Sequence, residues 1–169
     1  MAIPDLKFNI PNQVYKELEY TTEPFNNPED IALWLSQGYG PKFTGSMCDM
    51  RKAQPLWTVE IINYFQNTLH WNNVGTSFYR MDTGTVLPNH SDLYKRYIEL
   101  FQLYGREHDI YRALVFLEDW SSGHYLELNF KPVVEWKAGE CVIWQYDAPH
   151  MAANLGLRPR YTLQITGHL

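Results

Sequence analysis

The segment Arg160-Tyr161-Thr162-Leu163-Gln164-Ile165-Thr166, near the end of the chain, decides the predicted fold. Side chains of a β-strand point alternately to its two faces, so this segment has one polar face and one apolar face. The polar face carries Arg160, Thr162, Gln164 and Thr166, and the apolar face carries Tyr161, Leu163 and Ile165. We therefore expect a strand that buries its apolar side in a core and offers an arginine to a water-containing anion pocket.

Other short segments with strand character precede it, separated by turn-forming residues. They comprise a hairpin at 77–87, then residues 111–117, 125–130, 133–136 and 140–146, and a short stretch after His150. Strands of this length at this spacing favour an antiparallel sandwich or barrel over a parallel sheet with crossover helices.

The first half of the chain has helical signals instead. Asn27 can cap a helix with Pro28 at its first position and a stop at Gly38, and apolar residues at helical spacing predict a second helix over 55–69. Residues 1–25 predict a short strand or arm, and 93–105 predict an amphipathic helix. The predicted class is mainly β with N-terminal helices in a single domain: 1–75 form the arm and supporting helices, and 76–169 form the core. An insertion at 93–110 is either a lid or an ordinary element packed on the sheet.

Composition excludes several functions. With 169 residues, 45% of them hydrophobic, the chain is long enough for one domain with its own core. Its net charge of −5 argues against binding duplex nucleic acid or an anionic membrane. It shows no signal peptide or apolar run of membrane-spanning length, and Cys48 and Cys141 lack a metal or redox spacing. We expect free thiols and a cytoplasmic protein, in the host cytoplasm if it is viral.

A metal site is predicted around Pro88-Asn89-His90-Ser91-Asp92. On an extended segment His90 and Asp92 point to the same side, so both can bind one cation, with His150 of Asp147-Ala148-Pro149-His150 as the third ligand. The His-x-Asp pair alone is compatible with zinc, manganese or no metal. Two imidazoles and one carboxylate on one face of a metal leave adjacent positions open, which suits Fe(II) with a chelating co-substrate and dioxygen.

The segment from Phe78 to Asp92, together with 139–150, Asn154 and Arg160-Tyr161-Thr162, resembles the Fe(II)- and 2-oxoglutarate-dependent oxygenases. The resemblance covers residues 77–168 and is greatest to small aspartyl/asparaginyl-hydroxylase-like and phage-type members. It implies a double-stranded β-helix (jelly-roll) core and a dioxygenase that hydroxylates a peptide, amino-acid-like or other small-molecule substrate, using O2 and releasing succinate and CO2.

The resemblance also implies roles for individual residues. His90, Asp92 and His150 would bind iron, and Arg160 would bind the distal carboxylate of 2-oxoglutarate with help from the Thr162 hydroxyl. Arg158 is a rival anion partner, but it precedes a proline in a turn and is expected to point to solvent.

Three further positions bear on the pocket. Alternation allows only one of Tyr79 and Arg80 to face inward, and we favour Tyr79. Related hydroxylases place an Arg and a His two positions apart on the strand after the lid, whereas this chain has Arg112 and Leu114. Arg112 then either contacts a carboxylate of the substrate or co-substrate, or pairs with a surface acid.

The remaining histidines are expected outside the site, with His124 in an exposed loop, His70 at a helix end, and His108 and His168 in solvent. Two other functions stay open. One is a cupin-like metal-binding or isomerase-type domain, suggested by residues 150–154, and the other is a non-catalytic module with the same fold.

Overall fold

A computed structural model describes residues 2–22, 24, 25, 27–48, 50 and 54–169. Residues 1, 23, 26, 49 and 51–53, all from the predicted N-terminal region, lie outside the described residues. In that described part the strands are β1 (Ala2–Lys7), β2 (Thr21–Thr22), β3 (Ser46–Met47), β4 (Asn72–Met81), β5 (Thr85–His90), β6 (Ile110–Phe116), β7 (His124–Leu128), β8 (Lys131–Val133), β9 (Glu140–Gln145), β10 (His150–Asn154) and β11 (Arg160–His168). The helices are α1 (Pro28–Ser36), α2 (Thr58–Asn63), which continues as a π-helical turn (Tyr64–Thr68), and α3 (Lys95–Phe101), with 3-10 turns at Val14–Glu17 and Glu107–Asp109.

The strands form two antiparallel sheets. The larger has the order β1-β9-β6-β11-β4-β3-β2 and the smaller the order β5-β10-β7-β8. From β4 onward the chain passes back and forth between the sheets, so strands that follow each other in sequence mostly lie in opposite layers. The fold is a mainly β jelly roll with N-terminal helices, which confirms the predicted fold class.

β11 lies at the centre of the larger sheet, paired with β6 on one side and β4 on the other. Its apolar residues Leu163 and Ile165 are fully buried under the N-terminal elements, against Tyr15, Ile61 and Phe65. Its polar side chains point to the opposite face, toward the smaller sheet, where Arg160 and Gln164 line a cavity. The predicted alternation of β11 is confirmed, and it places the polar face in the space between the sheets.

α1 begins where capping chemistry predicts. The side chain of Asn27 accepts a hydrogen bond from the backbone N–H of Glu29 (3.3 Å), and Pro28 occupies the first helical position. Trp34 is the buried residue of this helix. None of the helices in the described residues has the length and apolarity needed to cross a bilayer.

Two predicted segments differ from the structure. The helix expected over 93–105 is shorter, because Tyr94 and Gln102 adopt left-handed backbone conformations at its two ends (φ 48° and 53°). Buried Tyr94 and Ile98 pack with Ile110, so this insertion packs on the large sheet. The strands expected at 125–130 and 133–136 instead end at 128 and start at 131, because Asn129 and Phe130 turn the chain with positive φ.

Candidate active site and metal centre

His90, Asp92 and His150 meet at one end of the smaller sheet. His90 and His150 are cross-strand partners at the end of β5 and the start of β10, and Asp92 follows β5 by two residues. The Nε2 atoms of His90 and His150 lie 3.6 and 3.9 Å from Oδ1 of Asp92. One ligand atom from each residue fits within a mutual distance of 4.8 Å, so the three can hold one metal ion.

Backbone carbonyls orient both imidazoles. Nδ1 of His90 lies 2.8 Å from the carbonyl oxygen of Pro88, and Nδ1 of His150 lies 3.0 Å from that of Ala148. Each Nδ1–H donates to a carbonyl, which leaves the Nε2 lone pairs directed at the centre for a metal. This donor set of two imidazoles and one carboxylate can hold one metal ion.

The pKa shifts favour the protonation states that metal binding requires. Burial lowers the pKa of His150 to about 4, so this ring is neutral at pH 7. Burial opposes ionisation of Asp92, yet the guanidinium of Arg112 and the hydrogen bond with His90 hold the pKa of that carboxyl well below its ordinary value. A neutral histidine beside an ionised aspartate is the state that binds a divalent cation.

Arg112 lies inside the site. Its Nε is 3.4 Å from Oδ2 of Asp92 and donates to the Tyr94 hydroxyl (3.0 Å), while Nη1 donates to Oε1 of Gln164 (2.7 Å). Its carboxylate partner is therefore the candidate ligand itself. The sequence did not suggest Asp92 as the partner of Arg112. The pairing joins β6 to the segment after β5, so it depends on how these two segments fold together.

Arg160 is buried without a counter-ion. Only 4% of the residue is exposed, Nη1 donates to the carbonyl oxygen of Tyr125 (2.8 Å), and Nε has no hydrogen-bond partner. No carboxylate of the described residues forms an ion pair with it, and burial lowers its pKa to about 10, with the nearby Tyr79 acting in the opposite direction. A cation removed from water with an unused donor is a strong site for an anionic ligand.

Two other buried donors of the larger sheet are also unused. The Thr162 hydroxyl, one strand step along the same face of β11, is fully buried and has no partner within the described residues. The same holds for Nε1 of Trp144, a cavity residue whose ring lies 5.4 Å from that of His150. Trp144 was not among the residues that we predicted for the site. It lies two positions after the buried Val142 on β9, so strand alternation places both side chains on the same face, and this spacing could have indicated it.

A cavity of about 150 Å³ connects the candidate metal ligands with Arg160. His90, Asp92, His150, Arg112 and Arg160 all line it, and apolar walls come from Met81, Leu87, Leu114 and Leu126. Tyr79 also faces the cavity, as predicted, with its hydroxyl accepting the Gly45 N–H at 2.6 Å. Arg80 points away and lies over the ring of Tyr20.

The N-terminal region contributes a cover that the sequence did not reveal. The rings of Phe25 and Trp34 lie 5.1 and 6.0 Å from the His90 ring, both edge to face. Phe25 also lines the cavity. No spacing rule connects these residues with β5, because the contact depends on how the arm and α1 fold back over the jelly roll.

Two histidines differ from expectation. His124 was expected in an exposed loop but is only 5% exposed, with Nε2 bonded to the carbonyl oxygen of Arg158 (3.0 Å) and its ring near Trp136. His168 is likewise buried and contacts the Tyr97 hydroxyl, because β11 continues to the end of the chain. His70 and His108 are exposed, and so is Arg158, as predicted.

Similarity to known proteins is structural only. No protein-family model matches the chain, and no curated protein matches it. A prolyl-4-hydroxylase from Pseudomonas putida aligns over 92% of this chain and 95% of its own, with 15% identity and a TM-score of 0.53. Two other structures align over less of the chain. A predicted oxalate decarboxylase from Thermotoga maritima covers 62% of this chain and 74% of its own, with 15% identity and a TM-score of 0.41. A cupin protein from Bacteroides fragilis covers 61% of this chain and 72% of its own, with 13% identity and a TM-score of 0.40. At 15% identity, the alignment with the prolyl-4-hydroxylase shows a shared fold alone.

Proposed function

We propose that this protein is an Fe(II)- and 2-oxoglutarate-dependent oxygenase that hydroxylates a peptide, an amino-acid-like compound or another small molecule. The observation that carries the proposal is the buried guanidinium of Arg160, which has no counter-ion among the described residues and lines the same cavity as His90, Asp92 and His150. A metal-binding domain without an anionic co-substrate would have no use for that uncompensated cation.

The residues present suit both the metal and the co-substrate. His90, Asp92 and His150 would hold Fe(II), and the planar fork of Arg160 would pair with the distal carboxylate of 2-oxoglutarate. Thr162, two residues along β11 from Arg160, offers an unused donor, and Trp144 offers another beside His150. Tyr79 lines the same cavity as Arg160. When bound, the iron and co-substrate supply dioxygen activation coupled to decarboxylation, with release of succinate and CO2.

The remaining residues of the site position the metal ligands and shield the reacting centre from water. Arg112 binds the second oxygen of Asp92, and the carbonyls of Pro88 and Ala148 fix the imidazoles, so the ligand geometry is set before the metal arrives. Leu114 and Leu126 give the cavity apolar walls that limit water at the reacting centre.

Spectroscopy tests this proposal directly. Anaerobic addition of Fe(II) and 2-oxoglutarate to the metal-free protein should produce the weak visible charge-transfer band of a bound keto-acid chelate. His90→Ala and Asp92→Ala should lose the band, and His108→Ala, which removes an exposed histidine, should keep it. An undiminished band in His90→Ala or Asp92→Ala would refute the assignment.

Residues 150–154 suggested the cupin-like alternative. In the structure, Asn154 of this segment has a structural role instead of a ligand-binding one. Its side chain is fully buried, donates to the carbonyls of Met81 (2.7 Å) and Arg158 (2.9 Å), and accepts from the Gly156 N–H (3.0 Å). Asn154 therefore fixes the turn after β10, with both of its N–H donors used and its buried side chain away from the residues that line the metal cavity. Elemental analysis after anaerobic reconstitution separates both metal-binding functions from a non-catalytic module, which would hold no stoichiometric metal.

A further inference from the structure

Among the described residues, one side of β4 lacks a neighbouring strand along part of its length. On its other side β4 pairs with β11 from residue 72 to 81, but β3 pairs only with Tyr79 and Arg80. The Cys48 N–H donates to the carbonyl oxygen of Phe78 (3.0 Å) at the end of that contact. Within the described residues, no strand lies beside 73–77 on this side.

The direction of the free backbone groups follows from this bond. In an antiparallel sheet, alternate residues direct their N–H and C=O groups to the same side of the strand. Since Phe78 faces the β3 side, Thr76 faces it as well, because the register with β11 is regular from Met81 to Gly75 and shifts only between Gly75 and Asn72. No described residue forms a backbone hydrogen bond with Thr76 on this side, so another extended chain can add there.

This edge forms one wall of a groove of about 910 Å³. Val74 to Ser77 line one side, residues 93–97 and Leu100 line another, and Met47 and Met50 line the end next to β3. Asp92 and Arg112 line both this groove and the metal cavity. A chain lying along β4 would therefore lead to the candidate ligands.

The groove is locally basic on a chain whose net charge is −5. Lys95 and Arg96 line it, are exposed, and form no ion pair with any described residue. Asp92, already paired with Arg112, is the sole carboxylate among the described residues that line it. Acidic side chains of a bound partner would find their charge complement here.

We propose that the substrate is an extended polypeptide segment with acidic side chains, which pairs its backbone with Thr76 on β4 and presents its reacting residue past Arg112. The assignment of this segment as a substrate rests on the proposed oxygenase function. A free amino acid or nucleoside would leave the unpaired edge of β4 unused, whereas a peptide backbone satisfies it.

A display library of random peptides, selected against the 169-residue protein loaded with Mn(II) and 2-oxoglutarate, provides the probe. We expect enrichment of peptides rich in Asp and Glu. N-methylation of a selected peptide at every second backbone nitrogen should weaken binding at least about tenfold, and methylation of the intervening nitrogens should change it much less. No enrichment, or equal sensitivity at all nitrogens, would overturn the proposal.

Variants of the protein test the same edge. Thr76→Pro removes an N–H that β11 does not use and places a ring where the peptide would lie, so it should weaken binding at least about tenfold, while Thr76→Ala keeps the N–H and the affinity. The pair Lys95→Glu and Arg96→Glu should abolish the preference for acidic peptides, and the equal charge change at Lys131 and Arg158 should preserve it. If Thr76→Pro does not fold, as judged by its thermal melt, the methylation pattern of the peptide still tests whether its backbone pairs with β4.

The absorption band of the Fe(II) chelate, recorded on the same preparation, separates the two proposals. A normal band without selective peptide binding overturns the peptide groove and leaves the oxygenase assignment intact. Peptide binding with the alternating methylation pattern but without the band supports the groove and overturns the oxygenase assignment.

Discussion

Arg112 and Asp92 form an ion pair inside the candidate metal site, with Nε of the guanidinium 3.4 Å from Oδ2 of the carboxylate. The other oxygen, Oδ1, faces the Nε2 atoms of His90 and His150. The carboxylate is thus divided, with one oxygen held by a fixed cation and one left for a metal. Such outer partners orient metal ligands and keep them ionised.

Replacing Arg112 should therefore weaken metal binding without removing a ligand. We expect Arg112→Gln to lower Mn(II) affinity at pH 7 by about 10- to 100-fold, as titration calorimetry would measure. Arg106→Gln, which removes an exposed arginine paired with Asp109, should leave the affinity unchanged. Equal affinities for Arg112→Gln and the wild type would show that Arg112 does not organise the ligand.

The metal-free protein should lose stability as the pH falls from 7.5 to 5. Burial lowers the pKa of His150 to about 4 and also lowers the pKa values of His124 and His168. Because the unfolded chain then binds more protons below about pH 6.5, the free energy of unfolding is highest above that pH and falls as the pH drops toward the folded-state values. His150 alone should contribute a loss of about 2 kcal/mol by pH 5.

Urea unfolding in the presence of a chelator measures this slope. His150→Gln should flatten it, whereas His108→Gln, at an exposed position, should leave it as in the wild type. A free energy of unfolding that stays constant or rises between pH 7.5 and 5 would contradict the burial of neutral histidines.

Gly45 is required by the close approach of Tyr79. A Cβ at this position would lie 2.3 Å from the carbonyl oxygen of Arg80 and 2.7 Å from Cζ of Tyr79. Gly45→Ala should lower the free energy of unfolding by about 1–3 kcal/mol and move Tyr79 in the cavity wall. Gly40→Ala, with no atom within 4 Å of the new Cβ, is the matched control. Similar denaturant midpoints for the two variants would contradict this packing.

The sequence predicts the parts of this site that depend on local periodicity. Alternation alone brings His90, at the end of β5, and Asp92, two residues beyond it, to one side of the chain. It also separates Arg160 from Leu163 on β11, and the structure agrees in both cases. The cover formed by Phe25 and Trp34, the pairing of Arg112 with Asp92, and the burial of His124 depend on contacts between distant segments. Periodicity within a strand carries no information about such contacts.

The central claim is that Arg160 binds the distal carboxylate of 2-oxoglutarate beside the metal. Its most direct test is anaerobic titration of the Fe(II)-loaded protein with 2-oxoglutarate, followed by the visible absorption of the chelate, in Arg160→Gln and Arg158→Gln. Loss of a charge-assisted carboxylate pair in a buried site should raise the dissociation constant of Arg160→Gln by at least about tenfold. Arg158→Gln, at an exposed turn, should bind as the wild type does. Equal 2-oxoglutarate affinity in Arg160→Gln and the wild type, or no 2-oxoglutarate binding in any of the proteins, would contradict the account.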